Sequence, residues 1–101
     1  MENMDPAREA SFLSNLGRSY GSLGNYEKKL KCEQRALDIT QENFGESHPN
    51  VARYLSDIGS TYGKLRDYEK MRDAFEEALK IKEANYGYFF LNGVESFICE
   101  S

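Results

Sequence analysis

The sequence has no tryptophan, a single histidine, two prolines and two cysteines in 101 residues. So few prolines and no tryptophan argue against a turn-rich all-β domain. One histidine leaves little material for acid–base chemistry. Cys32 and Cys99 lack the spacing of a metal site or a disulfide framework, and no Asn-x-Ser/Thr sequon occurs. The cytoplasm, with both thiols reduced, is therefore the expected compartment. Met1-Glu2-Asn3-Met4-Asp5 lacks the basic and apolar regions of a signal peptide. No apolar run approaches the ~18 residues needed to cross a bilayer. The net charge of −4 speaks against a broad nucleic-acid surface. With 30% charged and 40% hydrophobic residues the composition suits a helical protein with a thin core. At this length it is one folding unit at most.

Against these absences stands an internal repeat. Shifted by 42 residues, the chain falls on itself: Leu13-Ser14 on Leu55-Ser56, Gly17 on Gly59, Tyr20-Gly21 on Tyr62-Gly63 and Leu23 on Leu65. The match continues through Tyr26-Glu27-Lys28 on Tyr68-Glu69-Lys70, Ala36-Leu37 on Ala78-Leu79, Ile39 on Ile81, Asn43 on Asn85 and Gly45 on Gly87. Chance does not produce this without a gap.

Each unit reads as two helices. Pro49 suits a first helical turn, where its missing N–H costs nothing, with Ser47 or His48 as cap. Asp5-Pro6 opens the first unit in the same way, shifted by a single residue from the repeat register. Leu55, Ile58, Gly59 and Tyr62 then lie on one stripe. Leu23-Gly24-Asn25 and Leu65-Arg66-Asp67 break the units in two. The second helix of the second unit carries Met71, Ala74, Phe75, Ala78 and Leu79 on one face, and Asn85-Tyr86-Gly87 is expected to end it. Gly17 and Gly59 each cost roughly 1 kcal/mol of helix propensity, which points to close approach by the partner helix. The spacing predicts an all-α fold of four antiparallel helices near residues 7–22, 26–42, 50–64 and 68–85. A pair of this kind cannot bury both its faces alone and must stack on neighbours.

The series Leu13, Leu16, Gly17, Tyr20, Tyr26, Ala36 and its copy Leu55, Ile58, Gly59, Tyr62, Tyr68, Ala78 resembles the tetratricopeptide repeat. The 42-residue spacing, with Phe44-Gly45-Glu46-Ser47-His48-Pro49-Asn50-Val51-Ala52 between units, is similar to the longer kinesin light chain and nephrocystin type. The resemblance covers residues 10–87. It implies two stacked helix-turn-helix repeats forming an α-solenoid fragment: a lead-in over 1–8, repeats over 9–45 and 46–87, and an apolar tail over 88–101. It also implies a scaffold for protein or peptide partners, with no chemistry or cofactor of its own.

In that family the groove is lined by the first helix of each repeat. Here this face carries Ser11, Ser14, Asn15, Arg18 and Ser22, continued by Arg53, Ser56, Asp57, Ser60 and Lys64, each set at shared-face spacing. The stripe is small and polar with cationic ends. Asn15 could hydrogen-bond an extended backbone, and Arg18, Arg53 or Lys64 could attract a carboxylate. The plain alternative is a solvated helix face. Asp57 stands where related grooves often carry asparagine, which weakens backbone recognition in the second unit.

Two departures from the pattern matter. Lys29 and Met71 replace the small residue usual early in the second helix, and Glu33 stands where the second unit has Phe75. Lys29 and Glu33 can pair at i, i+4. Either that helix meets something polar or it lies at an exposed end, and the end position is the simpler expectation. After Gly87 the pattern stops, and Tyr88 to Ser101 is strongly apolar for a tail. It either caps the last helix or is a truncated third repeat. The alternative to peptide binding is a structural fragment acting by stacking or self-association through the last helix and tail. His48, beside Ser47 and Pro49, reads as a helix-start residue. Cys32, aligned with Ala74, reads as a small core residue. Glu76, Glu77, Lys80, Lys82 and Glu83 read as a solvated face, and no motif for phosphate binding is present.

Overall fold

The computed structural model describes residues 5–98, with side chains from 5 to 85. Four helices follow in order: α1 (Pro6–Ser22), α2 (Tyr26–Phe44), α3 (Pro49–Lys64) and α4 (Tyr68–Ile98). The all-α expectation is met, and the first three helices lie within two residues of the predicted limits. Only neighbours in sequence pack together: α1 with α2, α2 with α3, and α3 with α4. The chain is thus one helix-turn-helix pair stacked on another.

Local chemistry explains the boundaries. Pro6 and Pro49 sit in the first turns of α1 and α3. His48 caps α3, its Nδ1 accepting the Asn50 N–H at 3.0 Å, whereas Asp5 makes no side-chain cap bond to α1. Asn25 caps α2, accepting the Lys28 N–H at 3.2 Å. Asp67 does the same for Lys70 at 3.3 Å. The two intra-repeat turns are copies of each other. Asn25 N–H donates to the Tyr20 carbonyl and Asp67 N–H to that of Tyr62, both at 2.9 Å. The residue before each cap is left-handed: Gly24 at φ 79° and Arg66 at φ 66°. Glycine adopts that conformation freely, while Arg66 adopts it at a cost.

The end of α4 differs from expectation. The helix runs through Asn85-Tyr86-Gly87 and on to Ile98. After α2 the equivalent Gly45 takes φ 93° and ends the helix ahead of Pro49. Nothing after Gly87 supplies a proline, and a helical glycine costs only about 1 kcal/mol. Whether the side chains of the 88–101 tail cap the stack lies outside the described residues, as does Cys99.

The core has two clusters. Ala10, Ala36, Ile39 and Tyr54 join α1, α2 and α3. Val51, Ala52, Leu55, Ala78 and Ile81 join α3 to α4, and Leu37 packs against both. Gly17 and Gly59 are buried beneath the following helix, with Tyr20 and Tyr62 only half-buried. A Cβ on Gly17 would stand 3.3 Å from the Cys32 Cβ and 3.4 Å from the Lys29 carbonyl. One on Gly59 would stand 2.7 Å from the Phe75 ring. The close-approach reading of both glycines holds. The apolar face expected on α4 is only partly used. Ala74, Ala78 and Ile81 are buried, Met71 is half-buried, and Phe75 and Leu79 are 39% and 56% exposed.

Candidate functional site

Because α1 and α3 both pack on α2 and not on each other, the space between them is open, and the predicted face residues border it. A recess of about 80 Å³ is lined by Ser14 and Arg18 of α1, Lys29 and Glu33 of α2, and Asp57 of α3. A wider recess of about 370 Å³ is lined by Pro49, Asn50, Arg53, Ser56 and Asp57 of α3 with Lys82 of α4. Asp57 borders both. The predicted residues Ser14, Arg18, Arg53, Ser56 and Asp57 are thus brought into two adjoining recesses. Asn15, Ser22, Ser60 and Lys64 are on the same helices and line neither. Ser14 departs from the expectation of an accessible groove residue: it is 7% exposed, because the face of α1 that carries it also carries the buried Ala10 and Gly17.

The floor of the smaller recess corrects a second expectation. Helix α2 does not lie at an exposed end; it is enclosed between α1 and α3. Glu33 is 3% exposed and Thr61 of α3 is 1% exposed. Lys29 makes an ion pair with Glu33 and donates to Thr61 Oγ1 at 2.7 Å. Thr61 Oγ1 lies 2.7 Å from Glu33 Oε1, to which it donates, with the Asp57 carbonyl at 3.1 Å as the other acceptor in reach. The polar face of α2 therefore meets something polar, the hydroxyl of Thr61, and the i, i+4 pairing of Lys29 and Glu33 is present. Burial holds the Glu33 carboxyl above the usual carboxylate range. The hydrogen bonds from Lys29 and Thr61 and the charge of Lys29 pull it down without cancelling that rise, and the charge of Asp57 adds to it.

The charges on the rim follow from this floor. Lys29 and Glu33 neutralise each other, leaving Arg18, Arg53 and Lys82 around the single carboxylate of Asp57. Arg53 also stands over the Tyr54 ring at 5.4 Å, which orients its guanidinium. The recesses can accept an anionic group, with the Ser56 hydroxyl beside it in the wider one, but they assemble no nucleophile with a base. His48 is occupied in capping α3 and packs on Phe44 at 5.2 Å. Burial, with the Glu33 charge, raises the Cys32 thiol, so the half-buried Cys32 is held as a thiol. Among the described residues no group of three or more His, Cys, Asp or Glu is placed to hold a metal ion, and no helix is long and apolar enough to cross a membrane.

Sequence reasoning misses a third hollow, of about 300 Å³, on the side where α2 and α4 flank α3. It is floored by Leu37, Leu55, Ile58 and Ala74 and rimmed by Gln34, Tyr62, Lys70, Asp73 and Glu77. Gln34 Nε2 donates to the Tyr62 hydroxyl at 3.1 Å across its edge. The signal is the apolar spacing of α3, which on sequence alone goes wholly to core.

A family model described as tetratricopeptide repeat matches residues 8–84. No curated protein shows significant similarity to the chain.

Proposed function

The chain belongs to the tetratricopeptide repeat family, whose members generally mediate protein–protein interaction, and on that premise we propose that it is a non-enzymatic scaffold taking a partner peptide on the concave face of α1 and α3. The observation that carries this reading is the convergence of Arg18, Arg53 and Lys82 on adjoining recesses whose floor is already neutralised by the Lys29–Glu33 pair. Cations with no ion pair among the described residues, above a neutral floor, favour a peptide with an acidic side chain or a free carboxylate. Ser56 supplies a hydroxyl beside Asp57 in the wider recess. The carboxylate of Asp57 replaces the amide that would clamp a peptide backbone, so recognition rests on side-chain charge more than on backbone clamping. The 42-residue repeat supports a kinesin light chain-like subtype and, with it, a cytoplasmic adaptor role.

The test is selection of peptides from a random displayed library on the full chain, followed by affinity measurement with the selected sequences. Acidic peptides are the expected winners. Arg18→Glu and Arg53→Glu should each weaken them by about tenfold or more, roughly one lost charge-assisted contact. Lys80→Glu, on the exposed side of α4 away from both recesses, should leave binding unchanged. Peptides that bind all three variants equally would place recognition elsewhere.

A further inference from the structure

The exposed apolar side chains at the two ends of the chain are, by the repeat, copies of residues buried at its centre. Phe12, Leu16 and Leu23 of α1 and its turn are 57%, 36% and 80% exposed. Their equivalents 42 residues on are Tyr54, Ile58 and Leu65. Tyr54 and Ile58 are 2% and 3% exposed, and Leu65 is half-buried. At the other end Phe75 and Leu79 of α4 correspond to Glu33 and Leu37 of α2. Glu33 is buried, and Leu37 is half-buried between the two core clusters. The covered set lies along the α2–α3 junction. Tyr54 packs with Ala36 and Ile39 there, and Thr61 bonds Lys29 and Glu33. The chain therefore holds one filled junction between repeats and, at its two ends, the two separate halves of another.

We propose that α4 of one molecule docks on α1 of a second copy in the geometry that α2 adopts on α3, stacking copies head to tail. The occupant of the exposed α4 face is the exposed α1 face of another copy, because the structure contains the template for that contact and both complementary surfaces. Residue chemistry at the second junction is simpler than at the first. Lys29 and Glu33 become Met71 and Phe75, and Thr61 becomes Ser19, so the ion pair buried at the first junction has no counterpart at the second, while Lys82, in the place of the buried Thr40, keeps its charge at the edge of the contact. Phe12 takes the place of Tyr54 against the buried-alanine side of the helix, and Leu16 the place of Ile58 beside Leu79. The contact is heterologous, using different patches on the two molecules, so each added copy presents a fresh end and the array grows as a longer solenoid.

The experiment is sedimentation equilibrium of the full chain across micromolar to about millimolar concentration, with two variants at exposed positions. Phe12→Lys disables the α1 face and Leu79→Lys the α4 face. Both sites are more than half exposed, and far-UV circular dichroism checks that the helices remain. The wild-type mass should climb with concentration past twice the 11.6 kDa of one chain. Each variant alone should stay a monomer, since it retains only one of the two surfaces. Mixed in equal amounts, the variants should reach twice the monomer mass and stop there, because only one intact junction can form. A wild type that stays monomeric throughout would overturn the proposal. So would self-association of the Phe12→Lys variant, which would mean that the α4 face pairs with itself.

Discussion

Replacing Lys29 by methionine leaves the Glu33 carboxylate in place, 3% exposed, and removes the cation paired with it, which is also a hydrogen-bond donor to it beside Thr61. Breaking a buried pair from one side typically costs about 3–5 kcal/mol. Glu33 keeps the Thr61 hydroxyl, so the lower end applies, and Lys29→Met should destabilise the chain by about 3 kcal/mol near pH 7.5. Methionine preserves most of the aliphatic stem that packs over Gly21, which limits the change to charge and hydrogen bonding. The double variant Lys29→Met/Glu33→Met should return to within about 1 kcal/mol of wild type, since it removes the stranded charge and keeps the volume. The Thr61 hydroxyl then keeps the Asp57 carbonyl at 3.1 Å. Urea unfolding followed by circular dichroism measures all three proteins. A cost below about 1 kcal/mol for Lys29→Met, or no rescue in the double variant, would refute the assignment of the pair as a buried couple.

Proton linkage gives the same prediction a second handle. The Glu33 carboxyl is raised in the folded state, chiefly by burial. Between its unfolded value and its folded value the native state binds more protons than the unfolded chain, so stability falls as pH rises through that window. The contribution is fully present below the ordinary carboxylate value and is lost above the folded one. Wild-type stability minus that of Glu33→Gln should therefore decline with rising pH by up to about 1.4 kcal/mol per unit inside the window. Without Lys29 the carboxyl rises further, and the cost of Lys29→Met should shrink visibly at about pH 5. A cost that does not change with pH would mean that Glu33 reaches solvent.

Gly59→Leu should cost about 1–3 kcal/mol, because even a Cβ there lies 2.7 Å from the Phe75 ring. Pairing it with Phe75→Ala should give a cost smaller than the sum of the two single changes, which a double-mutant cycle in urea would detect. Arg66→Gly should stabilise by about 0.5–1 kcal/mol, relieving the φ of 66° that Gly24 adopts freely in the first turn. An unchanged or lower melting temperature for that variant would mean that the Arg66 backbone carries no strain.

The fold is legible because the chain states its pattern twice. Each glycine, tyrosine and small residue assigned to close packing has a second copy to check it, and helix starts carry Pro6, Pro49, Asn25 or Asp67. What the repeat cannot supply lies where the copies disagree. Gly87 matches Gly45 as a residue, but Gly45 stops its helix ahead of Pro49, and no proline follows Gly87. The site is half legible for a related reason. Spacing places Arg18, Arg53, Ser56 and Asp57 on one face, yet it cannot reveal that Ser14 on the same stripe is buried along with Ala10 and Gly17. The substitution of Glu33 for Phe75 holds the most information, and its simpler reading, the mark of an exposed end, is the one the structure overturns. A carboxylate at a position whose counterpart is aromatic implies a partner that only tertiary structure supplies, and that partner is Thr61, one helix on. The same comparison run in reverse locates the unfilled surfaces. Where the inner position of α2 is a carboxylate buried against Lys29 and Thr61, the corresponding position of α4 is Phe75, apolar and 39% exposed, so the residue that changes between the repeats is the one whose surroundings change.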